Sequence, residues 1–486
     1  MEIKDLQPRE VFSIFDEITK IPRPSKKEEK IRQYLLDFAA KRNLTAKTDK
    51  VGNVVISKPA TPGHENAPTV IMQGHMDMVC ESNDKHFDFA NSPIPAVIDG
   101  EWIRTEGTTL GADNGIGMAA SLAALIDDSF EHGPLEALFT VDEETGMTGA
   151  NNLGTDMITG SMLLNLDSED DAEIFVGCAG GVDTQAFFTY NRSFAPSDFL
   201  YFKINVEGLN GGHSGGDIHL GRANANKLLA RFLFLLSGKH EVVLAEIDGG
   251  NLRNAIPRAS HAVIGVHTSH KEEVRVALNH YIADLENEYQ GIEPNLKITM
   301  ESVDTPEFSI DQTTSTNIIR ALYCAPHGVV SMSRELEGLV ETSTNLASVK
   351  MAANNTIVVT TSQRSSVESR KWDIARQVEA VFLLAGARVE HGDGYPGWQP
   401  NLESPIMKIT RDAYQELYGV TPAIKAIHAG LECGLFLTKY PHLDMVSFGP
   451  TLRDVHSPSE RMHIPAVERF WCQLKRTLEK VGELKK

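Results

Sequence analysis

Residues 135–146 read LEALFTVDEETG, an apolar run that stops in three successive carboxylates, Asp142, Glu143 and Glu144. Leu138, Phe139 and Val141 give the run the character of a buried strand. Three like charges at a strand end repel one another, and a cation among them makes the arrangement tolerable. In an open α/β sheet the carboxyl ends of the strands are also where ligands bind. A solvated acidic turn, with one acid capping the next helix, accounts for this stretch taken by itself. It accounts less well for the recurrence of the pattern.

Thr69 to Gln73 reads as another strand and runs into Gly74-His75-Met76-Asp77. Histidine is the commonest metal ligand, and an Asp two residues on can fix its ring tautomer. Next comes Leu110-Gly111-Ala112-Asp113-Asn114-Gly115-Ile116-Gly117, leading into a helix that buries Ala119, Leu122 and Ala123. Asp113 alone would pass as an N-cap. After the acidic triplet, Ser161 to Leu166 is a further apolar run that ends in Asp167-Ser168-Glu169-Asp170. Each segment between Thr69 and Asp170 thus ends in, or leads to, a histidine or a carboxylate. One metal site where the strand ends converge explains them together.

The remainder of the chain organises around that site. Pro8 opens a helix with Val11, Phe15 and Ile18 on one face, and Ser25-x-x-Glu28 has the form of a capping box for a second, with Ile31, Leu35 and Phe38 as its stripe. From about Phe187 the pattern turns α+β. Strands are expected at 200–206, 261–267, 296–303, 339–351 and 356–361, and helices around Leu228–Phe232, over 272–289 and around Trp372–Phe382. No internal repeat is legible. After Pro400 the α/β pattern resumes, with a strand at 444–448, then His456, then a terminal helix opened by Pro465. If His456 joins the N-terminal cluster, the intervening region is an inserted domain.

Composition limits the partners. Lys and Arg total 46 against 66 Asp and Glu, a net charge of −20, which argues against nucleic-acid and anionic-membrane surfaces. The five cysteines are scattered without a C-x-x-C, as reduced thiols of a cytoplasmic protein would be. No signal peptide and no membrane span are expected.

These residues carry a family resemblance. His75-x-Asp77, Asp113 in GADNG, Asp142-Glu143-Glu144-x-Gly146, Asp167 and His456 resemble, in order and over almost the whole chain, the zinc-dependent exopeptidases that include carboxypeptidase G, aminoacylase and carnosinase. GADNGIG, NLDSED, GLNGGHSGGDI, YPGWQPN, HAGLECG and DVHSPSER are similar to the aminoacyl-histidine dipeptidase branch of that family (peptidase D, Xaa-His dipeptidases). The resemblance implies a three-layer α/β catalytic domain with a largely parallel mixed sheet, built from residues 1–186 and 398–486. An inserted α+β lid and dimerisation domain would occupy 187–397.

It also implies the chemistry. Two zinc ions, replaceable by Mn²⁺ or Co²⁺, would lie about 3.5–4 Å apart and share a bridging hydroxide. Asp113 would bridge them, His75 and Asp167 completing one site and Glu144 and His456 the other. Asp77 would orient His75, and Glu143 would serve as general base, so unblocked dipeptides, β-alanyl-histidine among them, would be hydrolysed in the cytoplasm by a homodimer. His213, in GGHSGG, resembles the histidine that stabilises the oxyanion across a dimer or from a lid. Asn254 and Arg364 resemble residues that hold the substrate's C-terminal half, Arg by gripping a carboxylate. Glu432 either binds the free amino group, and with Arg364 measures substrate length, or is a buried, satisfied acid. A broader aminopeptidase or deacylase of the same family is the alternative activity.

Two other functional classes fit the sequence less well. Gly212-His213-Ser214-Gly215-Gly216 matches G-x-S-x-G, but a nucleophile elbow needs a strand straight in and a helix straight out, and neither is expected around Ser214. A non-catalytic metal-stabilised binding protein would need the ligands without the base, and Glu143 is present.

Overall fold

The first helix, α1 (Arg9–Ile18), starts after Pro8, whose fixed φ suits a helix entry, and buries Val11, Phe12, Phe15 and Ile18. This is a computed structural model, and it describes residues 2–484. Helix α2 (Glu29–Lys41) follows and packs Ile31, Leu35 and Phe38 inward. Its expected capping box does not form. The Ser25 hydroxyl donates instead to Asp77 Oδ2 (2.8 Å), and Glu28 Oε1 accepts from the backbone N–H groups of Lys26 (2.8 Å) and Asp142 (3.0 Å). A buried carboxylate is a stronger acceptor than a helix N–H, so the serine is drawn away from the cap.

Strands β1 (Thr45–Thr48), β2 (Val54–Lys58) and β3 (Val70–His75) come next, then helix α3 (Ala112–Ile126), β4 (Leu135–Thr140), β5 (Met162–Asn165) and β6 (Glu173–Cys178). The chain continues through β7 (Gly180–Thr189), β8 (Phe199–Glu207), α4 (Ala225–Ser237), β9 (Val242–Gly249), β10 (Ser260–His267), α5 (Lys271–Glu288) and β11 (Lys297–Val303). Helix α6 (Gln312–Cys324), β12 (Val340–Ala352), β13 (Thr356–Ser365), α7 (Glu368–Leu384) and β14 (Arg388–His391) follow. It ends with α8 (Pro405–Tyr418), β15 (Ala423–Ile427), α9 (Glu432–Lys439), β16 (Asp444–Ser447) and α10 (Ile464–Gly482).

Two compact units result. The first comprises Met1–Cys178, Trp398–Ala426 and Leu431–Lys486, and the second Ala179–Gly397 with Ile427–Gly430. In the first, an eight-stranded mixed sheet has the order β1-β2-β4-β3-β5-β16-β6-β15. Its centre, β4-β3-β5-β16, is parallel, while β1, β2 and β6 pair antiparallel at the flanks. Every residue of β3 and β4 is buried, as in strands covered on both faces. Because the four central strands run the same way, His75, the Asp142–Glu144 turn, Asp167 and the loop to His456 all emerge at one edge.

The second unit repeats a topology within itself. Its nine-stranded antiparallel sheet runs β11-β8-β10-β9-β12-β13-β7-β14, with a short strand, Gly328–Met332, beside β12. The set β8-α4-β9-β10-α5-β11 is a βαββαβ unit with spatial order 4-1-3-2. The set β7, α6, β12, β13, α7, β14 is a second one, in mirrored order 2-3-1-4, and the first is nested in it between β7 and α6. The two halves meet edge to edge where β9 pairs antiparallel with β12, Gly249 opposite Val349.

Candidate metal centre and substrate-binding residues

The site in the first unit begins with Asp113. Gly111 is the helix N-cap, in the left-handed region at φ 68°, and Asp113 itself has non-helical torsions. Its carboxylate is therefore free of capping. The loop that carries it is held by Glu460, whose two carboxylate oxygens accept the N–H groups of Leu110 (2.7 Å), Gly111 (3.0 Å), Ala112 (2.8 Å) and Asp113 (3.4 Å). The buried Arg23 guanidinium ties the same loop to the end of β3, donating to the carbonyls of Met76 (3.1 Å), Asp77 (2.6 Å) and Gly111.

Asp113 stands between two sets of groups. His75 Nε2 is 3.0 Å from its Oδ1 and 3.4 Å from Asp167 Oδ1. His456 Nε2 is 3.0 Å from its Oδ2 and 3.1 Å from Glu144 Oε2. His456 comes from a loop whose backbone is left-handed at Asp454 and at His456 itself, φ 56° and 60°. Asp77 lies behind the cluster: its Oδ1 is 3.3 Å from His75 Nδ1 and accepts the Glu143 N–H at 3.0 Å, while Oδ2 accepts the Glu144 N–H at 3.2 Å. One carboxylate thus positions a histidine and the acidic turn together. That turn is sharpened by Asp142, left-handed at φ 52°, whose carboxylate accepts from the hydroxyls of Thr145 and Thr148.

The electrostatics are those of a site short of positive charge. Burial pushes Asp167 up to about 7 although His75 opposes it, and burial pushes Glu143 well above the usual carboxyl range. Hydrogen bonds to Asp113 and Glu144 raise His456 to about 11. Burial pulls His75 down, yet Asp167 and Asp113 outweigh it and hold the ring well above its ordinary value. The two histidines hold Asp113 below the ordinary range against its burial, and His75, with the Glu143 N–H and the Ser25 hydroxyl, holds Asp77 at about 2 against its own. Meanwhile Glu144 Oε1 and Asp167 Oδ1 are buried without a hydrogen-bond partner. Divalent cations fit this donor set: imidazole nitrogen and carboxylate oxygen, with unused lone pairs, grouped within 4.8 Å for His75, Asp113 and Glu144.

Beneath the cluster lies a polar chain that the sequence reading missed. Glu432, only 1 % exposed at the start of α9, accepts at Oε2 from Gln73 Nε2 (2.6 Å) and Thr140 Oγ1 (2.8 Å). Gln73 in turn accepts from Asn165 Nδ2 (2.6 Å), and Asn165 accepts from Ser447. Burial raises Glu432 to about 8, with His75 and the hydrogen bond from Thr140 opposing it, and its Oε1 is buried without a hydrogen-bond partner. No sequence pattern announces such a chain, because its members look like ordinary strand residues and meet only through the sheet order. Arg23 and Glu460 were missed for the same reason.

The second unit holds the other expected residues. His213 Nδ1 accepts the N–H groups of Gly215 (3.2 Å) and Gly216 (3.0 Å), which assigns the ring proton to Nε2. Burial lowers its pKa and Arg364 adds to the effect, so the ring is neutral and offers an N–H donor. Asn254 is exposed, and its carbonyl accepts the Ser214 N–H at 2.8 Å. Ser214 Oγ is buried with no hydrogen-bond partner and so has no histidine base, which removes the serine-hydrolase reading. Arg364 is not the surface ion-pair residue it could have been. It is 8 % exposed and donates to Tyr395 Oη (3.0 Å), and among the described residues no carboxylate pairs with it.

Residues 71–480 match the model of peptidase family M20/M25/M40. The chain belongs to that family. It is 43 % identical over 481 residues, 99 % of each chain, to the cytosol non-specific dipeptidase of Escherichia coli. The crystal structure of aminoacylhistidine dipeptidase from Vibrio alginolyticus superposes with a TM-score of 0.94 at 43 % identity, covering 100 % of this chain and 99 % of that one. Aminopeptidase PepT from Bacillus cereus shares the fold alone, at 15 % identity and TM-score 0.63 over 98 % of this chain and 100 % of that one. This M20 peptidase is a metallo-dipeptidase, a hydrolase acting on peptide bonds, with the mixed α/β fold of its family. None of its helices among the described residues is long and apolar enough to cross a membrane.

Proposed function

We propose that the enzyme hydrolyses unblocked dipeptides, Xaa-His and β-alanyl-histidine among them, in the cytoplasm and with two divalent cations, zinc in the first place. The observation that carries this reading is Asp113, with one oxygen toward His75 and Asp167 and the other toward His456 and Glu144. Those five side chains would hold the pair of ions, Mn²⁺ or Co²⁺ being able to replace zinc. When bound, the ions supply Lewis acidity to the scissile carbonyl and make water a better proton donor.

The protein's own groups do the rest. Asp77 fixes the His75 ring and the Glu143–Glu144 backbone. Glu143, buried and with a raised proton affinity, takes a proton from the attacking water and returns it to the leaving amine. His213 donates its Nε2–H to the oxygen on which negative charge develops. Arg364, buried and without a carboxylate of its own, takes the substrate's, assisted by Asn254. Glu432 belongs to the interior network through Oε2, which accepts from Gln73 and Thr140, while its unpartnered Oε1 stays free for the substrate amine.

Glu143→Gln tests the reading. Metal content should stay that of the wild type while kcat falls by about 10²–10⁴; near-normal turnover would refute it. A panel of β-alanyl-histidine, other dipeptides, an acetylated dipeptide and a tripeptide separates a dipeptidase from the broader aminopeptidase or deacylase. The name of the E. coli relative, a non-specific dipeptidase, favours several accepted dipeptides.

A further inference from the structure

We propose that the second unit carries a metal site of its own, in which His240, His270 and Glu273 bind one divalent cation of the Zn²⁺ class. The three come from different local structures. His240 lies just beyond the end of α4, its N–H bonded to Leu236 O at 3.0 Å. His270 closes the turn Thr268–His270 that precedes α5, and Glu273 stands in the first turn of α5.

Their spacing is that of ligands. Glu273 Oε2 is 3.4 Å from His240 Nε2, and its Oε1 is 3.5 Å from His270 Nδ1. One donor atom from each residue can be chosen so that all three lie within 4.8 Å of one another. Zinc bonds of roughly 2.0–2.2 Å to nitrogen and oxygen place neighbouring tetrahedral donors about 3.3–3.5 Å apart. Two imidazoles and a carboxylate also match the chemistry of Zn²⁺ and its first-row neighbours.

Burial points the same way. The His240 side chain, which turns Nε2 toward Glu273, is only 8 % exposed; His270 Nδ1, which faces Glu273 Oε1, is buried without a hydrogen-bond partner. The ring centroids are 4.4 Å apart, and a single divalent ion between them would take a lone pair from each ring and from the carboxylate. His240 and Glu273 also line a groove of about 540 Å³ with Phe232, Leu236, Val276 and His280, where water can complete the coordination. His267 is left out of the ligand set: its Nδ1 is bonded to Ser269 Oγ at 2.7 Å. Bound there, the cation would fasten the end of α4 to the start of α5.

The probe is Zn²⁺ alone, offered to the full-length enzyme by equilibrium dialysis. The wild type should hold one more zinc per chain than His240→Ala, His270→Ala or Glu273→Gln, while turnover of a dipeptide is the same in all four. Anomalous diffraction at the zinc edge should place that ion between the three side chains. Equal zinc content in wild type and variants, or density elsewhere, overturns the proposal. Should His240→Ala fail to fold, Glu273→Gln carries the test, since Glu273 is 62 % exposed on a helix surface.

Discussion

Arg364 shows how much one side chain can disclose. A guanidinium cannot lose its charge at physiological pH, so burying one without a carboxylate is costly unless an anion arrives. In the function proposed above, that anion is the free carboxylate of the substrate. Arg364→Ala should therefore raise KM for ordinary dipeptides about 10- to 100-fold, the loss of a charge-assisted contact of about 1.5–3 kcal/mol. C-terminally amidated dipeptides should be much less affected, and kinetics on the two series side by side make the check. An equal loss on both would contradict the assignment. Nothing in TSQRSS says that its arginine is buried; that follows from the position of β13 inside the nine-stranded sheet.

Elements contribute through what they hold at their ends. The loop before α3 keeps its shape because Glu460, from the far end of the chain, accepts four backbone N–H groups. Glu460→Ala leaves those donors unsatisfied, at about 1–3 kcal/mol for each that water cannot reach. It should lower both the denaturant midpoint and metal affinity, whereas Ser25→Ala, which removes one bond to Asp77, should do so less. His327 plays a comparable part between α4 and β12, where its Nδ1 faces Asn224 Nδ2 (3.3 Å) and the Leu346 N–H (3.4 Å). Burial, helped by Lys227, lowers its pKa to about 4. The unfolded chain then binds this proton more readily than the folded one. Stability is full above pH 6.5 and falls from there to about pH 4, by about 2–3 kcal/mol. Urea titrations across that interval should show the fall in wild type and a shallower one in His327→Asn.

At the scale of the molecule, a mixing experiment asks whether one chain suffices. Glu143→Gln and His213→Ala chains should each turn over poorly, and mixing them should restore nothing if His213 serves its own chain. Restored activity would mean that His213 is supplied by a second subunit. The sequence was informative about the first unit and less so about the second, for a physical reason. Strands β3, β4 and β5 are buried runs that stop in residues with unmistakable chemistry, so both the strand and the site could be read at once. The second unit has no such markers. Strand β9 (VVLAEIDG) carries two acids, and α6 opens with QTTST, whose threonines and serine are weak helix formers rescued by the Asp311 side chain, which caps the Thr314 N–H at 2.9 Å. Its doubling lies in strand order, which no motif spells out.

The nesting of one βαββαβ set within another imposes an order on biosynthesis. The inner set is contiguous and can close as soon as residue 303 has left the ribosome. Strand β7, made earlier, must wait for β13 and β14 before it has neighbours on either side. During that interval its ten residues are an open edge, and the nascent chain is most exposed to mispairing there. Stalled nascent chains ending near residue 330 should accordingly resist protease within 199–303 and be cut within 180–189.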